Sequence, residues 1–280
     1  LSVYKFNHAL FQQYIYNDLG TSQRRLLHKE IAEALELLYH ERTDEIAVQL
    51  AKHFEESRNF EKAMDYWLLS GKQALKISAF SEARACLERA LALDSENAEK
   101  KAEIGLQLGI VYYGLGDLPL AIQSLEKSIA LLKDEPSYLV AMARCWLGRV
   151  KVDRGEFHSA KGVLLSAVEI AKKINDNFVA AQALNQLGYV SWHIGDLKEA
   201  QRLYKMSISI SQRNQDDKTM AFSLYDLGCC EHLLGNFEEA KNSLEKSLEL
   251  SRTIGDKSIQ TYSYNELGWT YYDEGDFARA

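Results

Sequence analysis

The sequence predicts an all-α solenoid of antiparallel helix pairs, and three observations carry that prediction. A skeleton of Leu-Gly, six residues, Gly, an acidic or amide residue, an apolar residue, two more and Ala recurs. From Gly109 the spacings to Gly148, Gly188, Gly228 and Gly268 are 39, 40, 40 and 40, and a fixed period of this kind is the signature of stacked repeats. Only 2 of the 280 residues are Pro while 46% are apolar, which permits long uninterrupted helices around a continuous buried seam. Asp176, Asp216 and Asp256 are also 40 apart. Each stands one residue before a predicted helix, where a carboxylate caps free N–H groups and suits the helix dipole.

Taken in order, residues 1–19 place Phe6, Leu10, Tyr14 and Ile15 at helical spacing, with His8 between them and Gly20 as the stop. Thr21 and Ser22 then offer caps for a second helix whose expected buried stripe is Leu27, Ile31, Ala34, Leu35 and Leu38. Its Arg24, Arg25 and Lys29 read as a solvated face rather than a phosphate contact. A third helix after Thr43-Asp44 buries Ile46, Leu50, Ala51 and Phe54. Arg58-Asn59-Phe60 with Ala63 matches the skeleton, and 20 residues later Ala79-Phe80 with Ala83 matches it again. The helix from about Phe60 to Ile77 is therefore expected to serve two successive pairs, the second completed by a helix from Phe80 to Leu93.

From Asn97 the pattern is regular, each repeat having a first helix such as 177–194 and a second such as 197–213. Gly188 and its equivalents allow close helix approach, and Gly195 and its equivalents take the left-handed conformation that ends the first helix. Ala121, Ala160, Ala200 and Ala240 are small where the helices cross, and Leu108, Leu147, Leu187, Leu227 and Leu267 fill the seam. Pro119 is tolerated at the start of a second helix, where its missing N–H would be unpaired anyway.

These residues resemble the tetratricopeptide repeat in its longer form of about 40 residues. The resemblance covers roughly 45–280 and implies a right-handed superhelical solenoid of antiparallel helix pairs. Lys151 and Ser191 depart from the aromatic residue the family places after Leu-Gly. The organisation expected is a helical segment at 1–44, atypical helices with a shared member at 45–95, and regular repeats at 96–280, the last of them incomplete. In the first 44 residues, Phe6-Asn7-His8-Ala9-Leu10 with Tyr16, Leu19, Arg25, Leu27-His28 and Ile31-Ala32 is similar to the winged-helix tail of bacterial STAND signalling ATPases. In those proteins such a tail precedes a tetratricopeptide arm. That likeness, the absence of an initiator Met and the stop at Ala280 together suggest part of a longer protein.

The net charge of −7 offers no clustered basic surface for nucleic acid. No apolar run is long enough for a membrane span. The four cysteines, Cys86, Cys145, Cys229 and Cys230, have no paired spacing, which points to a reducing, cytoplasmic setting. Phosphate loop, zinc motif and nucleophile elbow are missing, so neither a catalytic residue nor a cofactor or metal is expected. His193 and His232 read as groove or solvated histidines rather than a ligand pair.

In the tetratricopeptide family the first helices line a concave binding face, which implies a non-enzymatic interaction module. The family's positions fall here on Arg149, Asn185, Gln186, Tyr189, Trp192, His193, Tyr225, Asp226, His232, Asn265, Glu266, Trp269 and Tyr272, with Leu106, Cys145 and Val152 among the earlier ones. Rigid aromatic area beside side-chain amides suits a peptide or protein partner. Asp153, Asp226, Glu266 and Asp273 favour a neutral or basic segment. An apolar face at 271–277 can drive self-association through the solenoid end. The alternative is a small-molecule-sensing arm that regulates an attached STAND ATPase or transcriptional activator.

Overall fold

The structure, a computed structural model, describes residues 9–93, 95–133 and 135–280, with the backbone alone at 9–12. Phe6 and His8 lie outside the described residues, as does the side chain of Leu10. Among the described residues there is no strand, and no helix is long and apolar enough to cross a membrane. The chain divides into two compact units between Asp117 and Leu118.

The first unit contains α1 (Ala9–Asp18), α2 (Thr21–Tyr39), a 3-10 segment (His40–Ile46), α3 (Ala47–Glu56), α4 (Phe60–Lys76), α5 (Phe80–Ala92) and α6 (Ala98–Gly114). Three expectations are corrected in it. Thr21 and Ser22 lie inside α2, whose cap is Gly20; the Gly20 N–H donates to Gln23 Oε1 at 3.1 Å. The buried face of α2 is centred on Ala32 with Leu35 beside it, whereas Leu27, Ile31, Ala34 and Leu38 are exposed. Leucines on two sides of this helix give two apolar stripes, and Glu36 selects between them by accepting from Lys62 Nζ (2.6 Å) and Tyr66 Oη (2.7 Å) on α4. Ile46 precedes α3 as its cap residue and is half-buried, while Ala47, Leu50, Ala51 and Phe54 form the buried face.

Helix α4 packs on α3 through stacked Phe54 and Tyr66, 5.7 Å between ring centres, and on α5 through Gly71. A Cβ on Gly71 would lie 2.6 Å from Leu87 Cγ, so only glycine admits this approach. The turns before α4 and α5 use Arg58 (φ 61°) and Ser78 (φ 57°) in the left-handed region that the regular repeats fill with glycine. The irregular copies thus share the backbone of the regular ones without their residue type.

The second unit contains α7 (Leu118–Leu131), α8 (Tyr138–Asp153), α9 (Phe157–Lys173), α10 (Asn177–His193), α11 (Leu197–Asn214), α12 (Asp217–Leu233), α13 (Phe237–Ile254) and α14 (Lys257–Glu274). Asp176, Asp216 and Asp256 cap α10, α12 and α14 through Oδ1, accepting from Val179 (3.0 Å), from Thr219 (3.1 Å), and from both Ser258 (3.1 Å) and Ile259 (3.2 Å). Gly155, Gly195, Gly235 and Gly275 have φ between 76° and 91° and end the first helices. The seam leucines and crossing alanines of this unit, Leu147, Leu187, Leu227, Leu267, Ala160, Ala200 and Ala240, are buried.

A polar device accompanies this apolar seam. Ser207 Oγ on α11 donates to the Ala181 carbonyl (2.8 Å) on α10 and lies 2.8 Å from Ser223 Oγ on α12. Forty residues on, Ser247 repeats the arrangement with Ala221 (2.8 Å) and Ser263 (3.0 Å). Helices α11 and α13 are thereby each tied to the first helices on both sides, with the buried hydroxyl satisfied.

Candidate functional site

Within the second unit, α8, α10, α12 and α14 are the first helices of successive repeats. Residues 40 apart therefore sit at equivalent places on neighbouring helices, and side chains on one face meet across the repeat boundary. The Arg149 guanidinium of α8 lies over the Tyr189 ring of α10 at 5.3 Å, with its Nε 3.6 Å from Asp153 Oδ2. Buried Asn185 of α10 donates through Nδ2 to Asp226 Oδ2 of α12 at 2.7 Å and to Ser223 Oγ at 3.2 Å. Burial pushes the Asp226 carboxyl up to about 6, against the opposing pull of the Asn185 hydrogen bond and the Arg149 charge.

A second group surrounds His193 at the end of α10. Phe157 stacks on it at 5.0 Å, and Tyr189 and Trp192 present their rings edge-on at 4.5 and 4.8 Å. Desolvation by these rings, with the Arg149 charge nearby, holds the imidazole below its ordinary value despite Asp153. Trp192 is half-buried and packs on the cluster of Ala200, Tyr204, Leu227 and Cys230. Its Nε1 and the Oε1 of Gln186 are sealed from solvent without a hydrogen bond in the chain.

A third group joins α12 to α14. His232 Nε2 lies 2.9 Å from Asp273 Oδ2, and its Nδ1 lies 3.0 Å from Thr270 Oγ1 and 3.2 Å from Glu266 Oε1. Tyr225 faces Tyr262 at 5.8 Å, and burial drives its hydroxyl to a strongly raised pKa. Trp269 (55% exposed) and Tyr272 (52%) pair edge to face at 6.0 Å near the solvent, and Asn265 is exposed.

The fold thus brings Arg149, Asn185, Tyr189 and Asp226 together, gathers Trp192 with His193, and joins His232 to Glu266. Leu106, Cys145 and Val152 belong to the buried core instead of a solvent-facing wall. Phe157, Ser223, Tyr262 and Thr270 complete these groups and were not among the sequence-derived positions. The 40-residue spacing of Ser223 and Ser263 was the available signal for one of them. All four cysteines are free, and no group of three or more His, Cys, Asp or Glu side chains suited to a metal occurs among the described residues.

The fold and this face define a helical-repeat protein that presents the side chains of successive first helices along one surface. Tetratricopeptide repeat models match residues 68–136 and 179–253, together just over half of the chain. The chain belongs to the tetratricopeptide repeat family. It is 32% identical over 107 residues to an uncharacterized protein of Rhizobium meliloti (strain 1021), the match spanning 38% of this chain and 10% of that protein. Among solved structures, a Rap protein complexed with competence and sporulation factor is similar with a TM-score of 0.66 at 15% identity, over 96% of this chain and 80% of that one. The Cut9–Hcn1 hetero-tetramer of the APC/C gives 0.66 at 17% identity, over 90% and 43%. BtubC from P. vanneervenii gives 0.57 at 16%, over 85% and 94%. At these identities the likeness is one of fold.

Proposed function

We propose that the chain is a non-enzymatic interaction module that binds a protein or peptide segment on the face of α8, α10, α12 and α14. In this reading it acts as the sensor or scaffold arm of a larger signalling protein. The observation that carries the reading is the row of cross-repeat contacts from Arg149–Tyr189 through Asn185–Asp226 to His232–Asp273. A plain core has no use for so many polar and aromatic groups at the surface, whereas an extended peptide needs both aromatic area and amide or carboxylate partners. That the similar Rap structure was solved with competence and sporulation factor supports a peptide or protein partner, and the four acidic side chains of the face favour a basic one.

An array of ten-residue peptides probed with the full chain tests this. Binding should concentrate on neutral and basic sequences and fall by on the order of tenfold in Trp269→Ala, whose exposed ring is removable without opening the core. Trp192→Ala is a poorer probe, because Trp192 packs on the buried α10–α12 cluster and its loss lowers stability too. A blank array, or binding untouched by Trp269→Ala and by charge reversal of Asp273, would count against the proposal.

A further inference from the structure

We propose that Asp226 and Asn185 form a subsite for the guanidinium of an arginine side chain on the bound segment. This deepens the reading just given and rests on it. Four acidic side chains stand on the face, and three have a cationic or imidazole partner there: Asp153 has Arg149, while Glu266 and Asp273 share His232. Asp226 differs. Its partner within the chain is the neutral Asn185 amide, and no cationic nitrogen of a described residue lies within 4.0 Å of it. A partly buried carboxylate is stabilised in its charged form by a directly paired cation. Within the chain the Arg149 charge acts on it from beyond ion-pair distance, and no direct cationic partner is supplied.

The geometry selects a forked cation over a point charge. Asn185 Nδ2 occupies Asp226 Oδ2, which fixes the carboxylate between α10 and α12 and leaves Asp226 Oδ1 and Asn185 Oδ1 without hydrogen bonds in the chain. Neither oxygen is sealed from solvent. Two neighbouring acceptors match the paired N–H groups of a planar guanidinium better than the single centre of an ammonium. Tyr189 is close enough for the Asp226 charge to act on its hydroxyl, and its ring is already in contact with Arg149, Trp192 and His193.

Titration of the isotope-labelled full chain with N-acetyl-arginine amide, and with the uncharged isostere N-acetyl-citrulline amide, tests the assignment by NMR. The arginine probe should shift the Asn185 side-chain amide signals saturably, and the citrulline probe should leave them in place. Asp226→Asn keeps the shape and an acceptor for Asn185, and should weaken the arginine probe by on the order of tenfold. Asn185→Ala serves as a second variant should Asp226→Asn fold poorly; it retains the carboxylate, loses its positioning amide and should weaken the probe about threefold. Equal shifts from both probes, or an arginine shift unchanged in both variants, would overturn the assignment. The two claims separate cleanly. A blank peptide array with an intact arginine response defeats the peptide reading alone, and a peptide-binding face without an arginine response defeats the subsite alone.

Discussion

The repeats built on α10–α11 and α12–α13 share a backbone and differ in what fills it. Both begin on a capping Asp, end their first helix on a left-handed glycine and carry the same serine bridge. A Cβ on Gly188 would meet Tyr204 Cε1 at 2.6 Å, and one on Gly228 would meet Leu244 Cγ at the same 2.6 Å. Three residues after each glycine stands Ser191 in the first pair and Glu231 in the second. Small Ser191 accompanies large Tyr204, which is 1% exposed. Glu231, 4% exposed, accompanies the smaller Leu244, accepting from Ser243 Oγ at 2.9 Å with Lys205 Nζ 4.0 Å away. The period constrains where backbones approach, and volume is then balanced inside each pair. That freedom lets the exposed face vary from one repeat to the next, aromatic on α10 and more acidic from α12 onward.

The largest test of this balance is removal of the filling side chain. Tyr204→Ala should lower stability by about 3–5 kcal/mol and Leu244→Ala by about 2–5 kcal/mol, both measured by urea unfolding followed by circular dichroism. Tyr204→Leu should recover only part of the loss, since Ser191 leaves a gap that leucine suits in the neighbouring repeats but not here. Equal stability of Tyr204→Leu and the parent would show that the two pairs are not volume-compensated.

Acid–base behaviour sharpens the comparison next. Asp226 on α12 has a folded pKa of about 6, above the ordinary carboxylate value, so its stabilising contribution is complete below about 4 and is lost as pH rises through about 6. The span corresponds to at most roughly 3 kcal/mol. His193 on α10 is shifted downward, so it works in the opposite sense: its contribution is present above about 6.5 and fades as pH falls. Thermal unfolding from pH 4 to 7 should therefore show Asp226→Asn gaining on the parent as pH rises. A constant difference between the two across that range would remove the buried-carboxylate account.

The smallest expected difference lies at the caps. Asp256 accepts from two N–H groups and Asp216 from one. Asp256→Ala should cost about 1–2 kcal/mol and Asp216→Ala about 1 kcal/mol, read from unfolding midpoints. The reverse order would show that packing, not capping, sets the helix starts.

What the sequence disclosed follows from which residues have no substitute. A left-handed helix end beside a close helix contact demands glycine, and a free helix N-terminus favours aspartate, so the regular repeats were readable to within a residue at Asn177–His193 and Leu197–Asn214. Where other residues tolerate the same backbone the signal weakens: at the Arg58 and Ser78 turns the following apolar residue and Ala carried it, and Asn175 and Gln215 at positive φ gave none. Helix α2 defeated periodicity because both of its sides are apolar, and the choice was made by Glu36 reaching α4. The candidate face was legible as a set of positions but not as contacts. Asn185 and Asp226 are 41 residues apart, and their pairing follows only once α10 lies against α12. Trp192 likewise counted as a groove residue, whereas much of its ring belongs to the seam.

The central claim, that the first helices of residues 118–280 form the binding face, is tested most directly by hydrogen exchange. The full chain would be measured with and without the strongest basic peptide from the array. Added protection at Asn185, Tyr189, Asp226 and Trp269 and their helices, with α9, α11 and α13 unchanged, is the result the account predicts. Protection confined to α9, α11 and α13 would place the partner on the opposite side and contradict it.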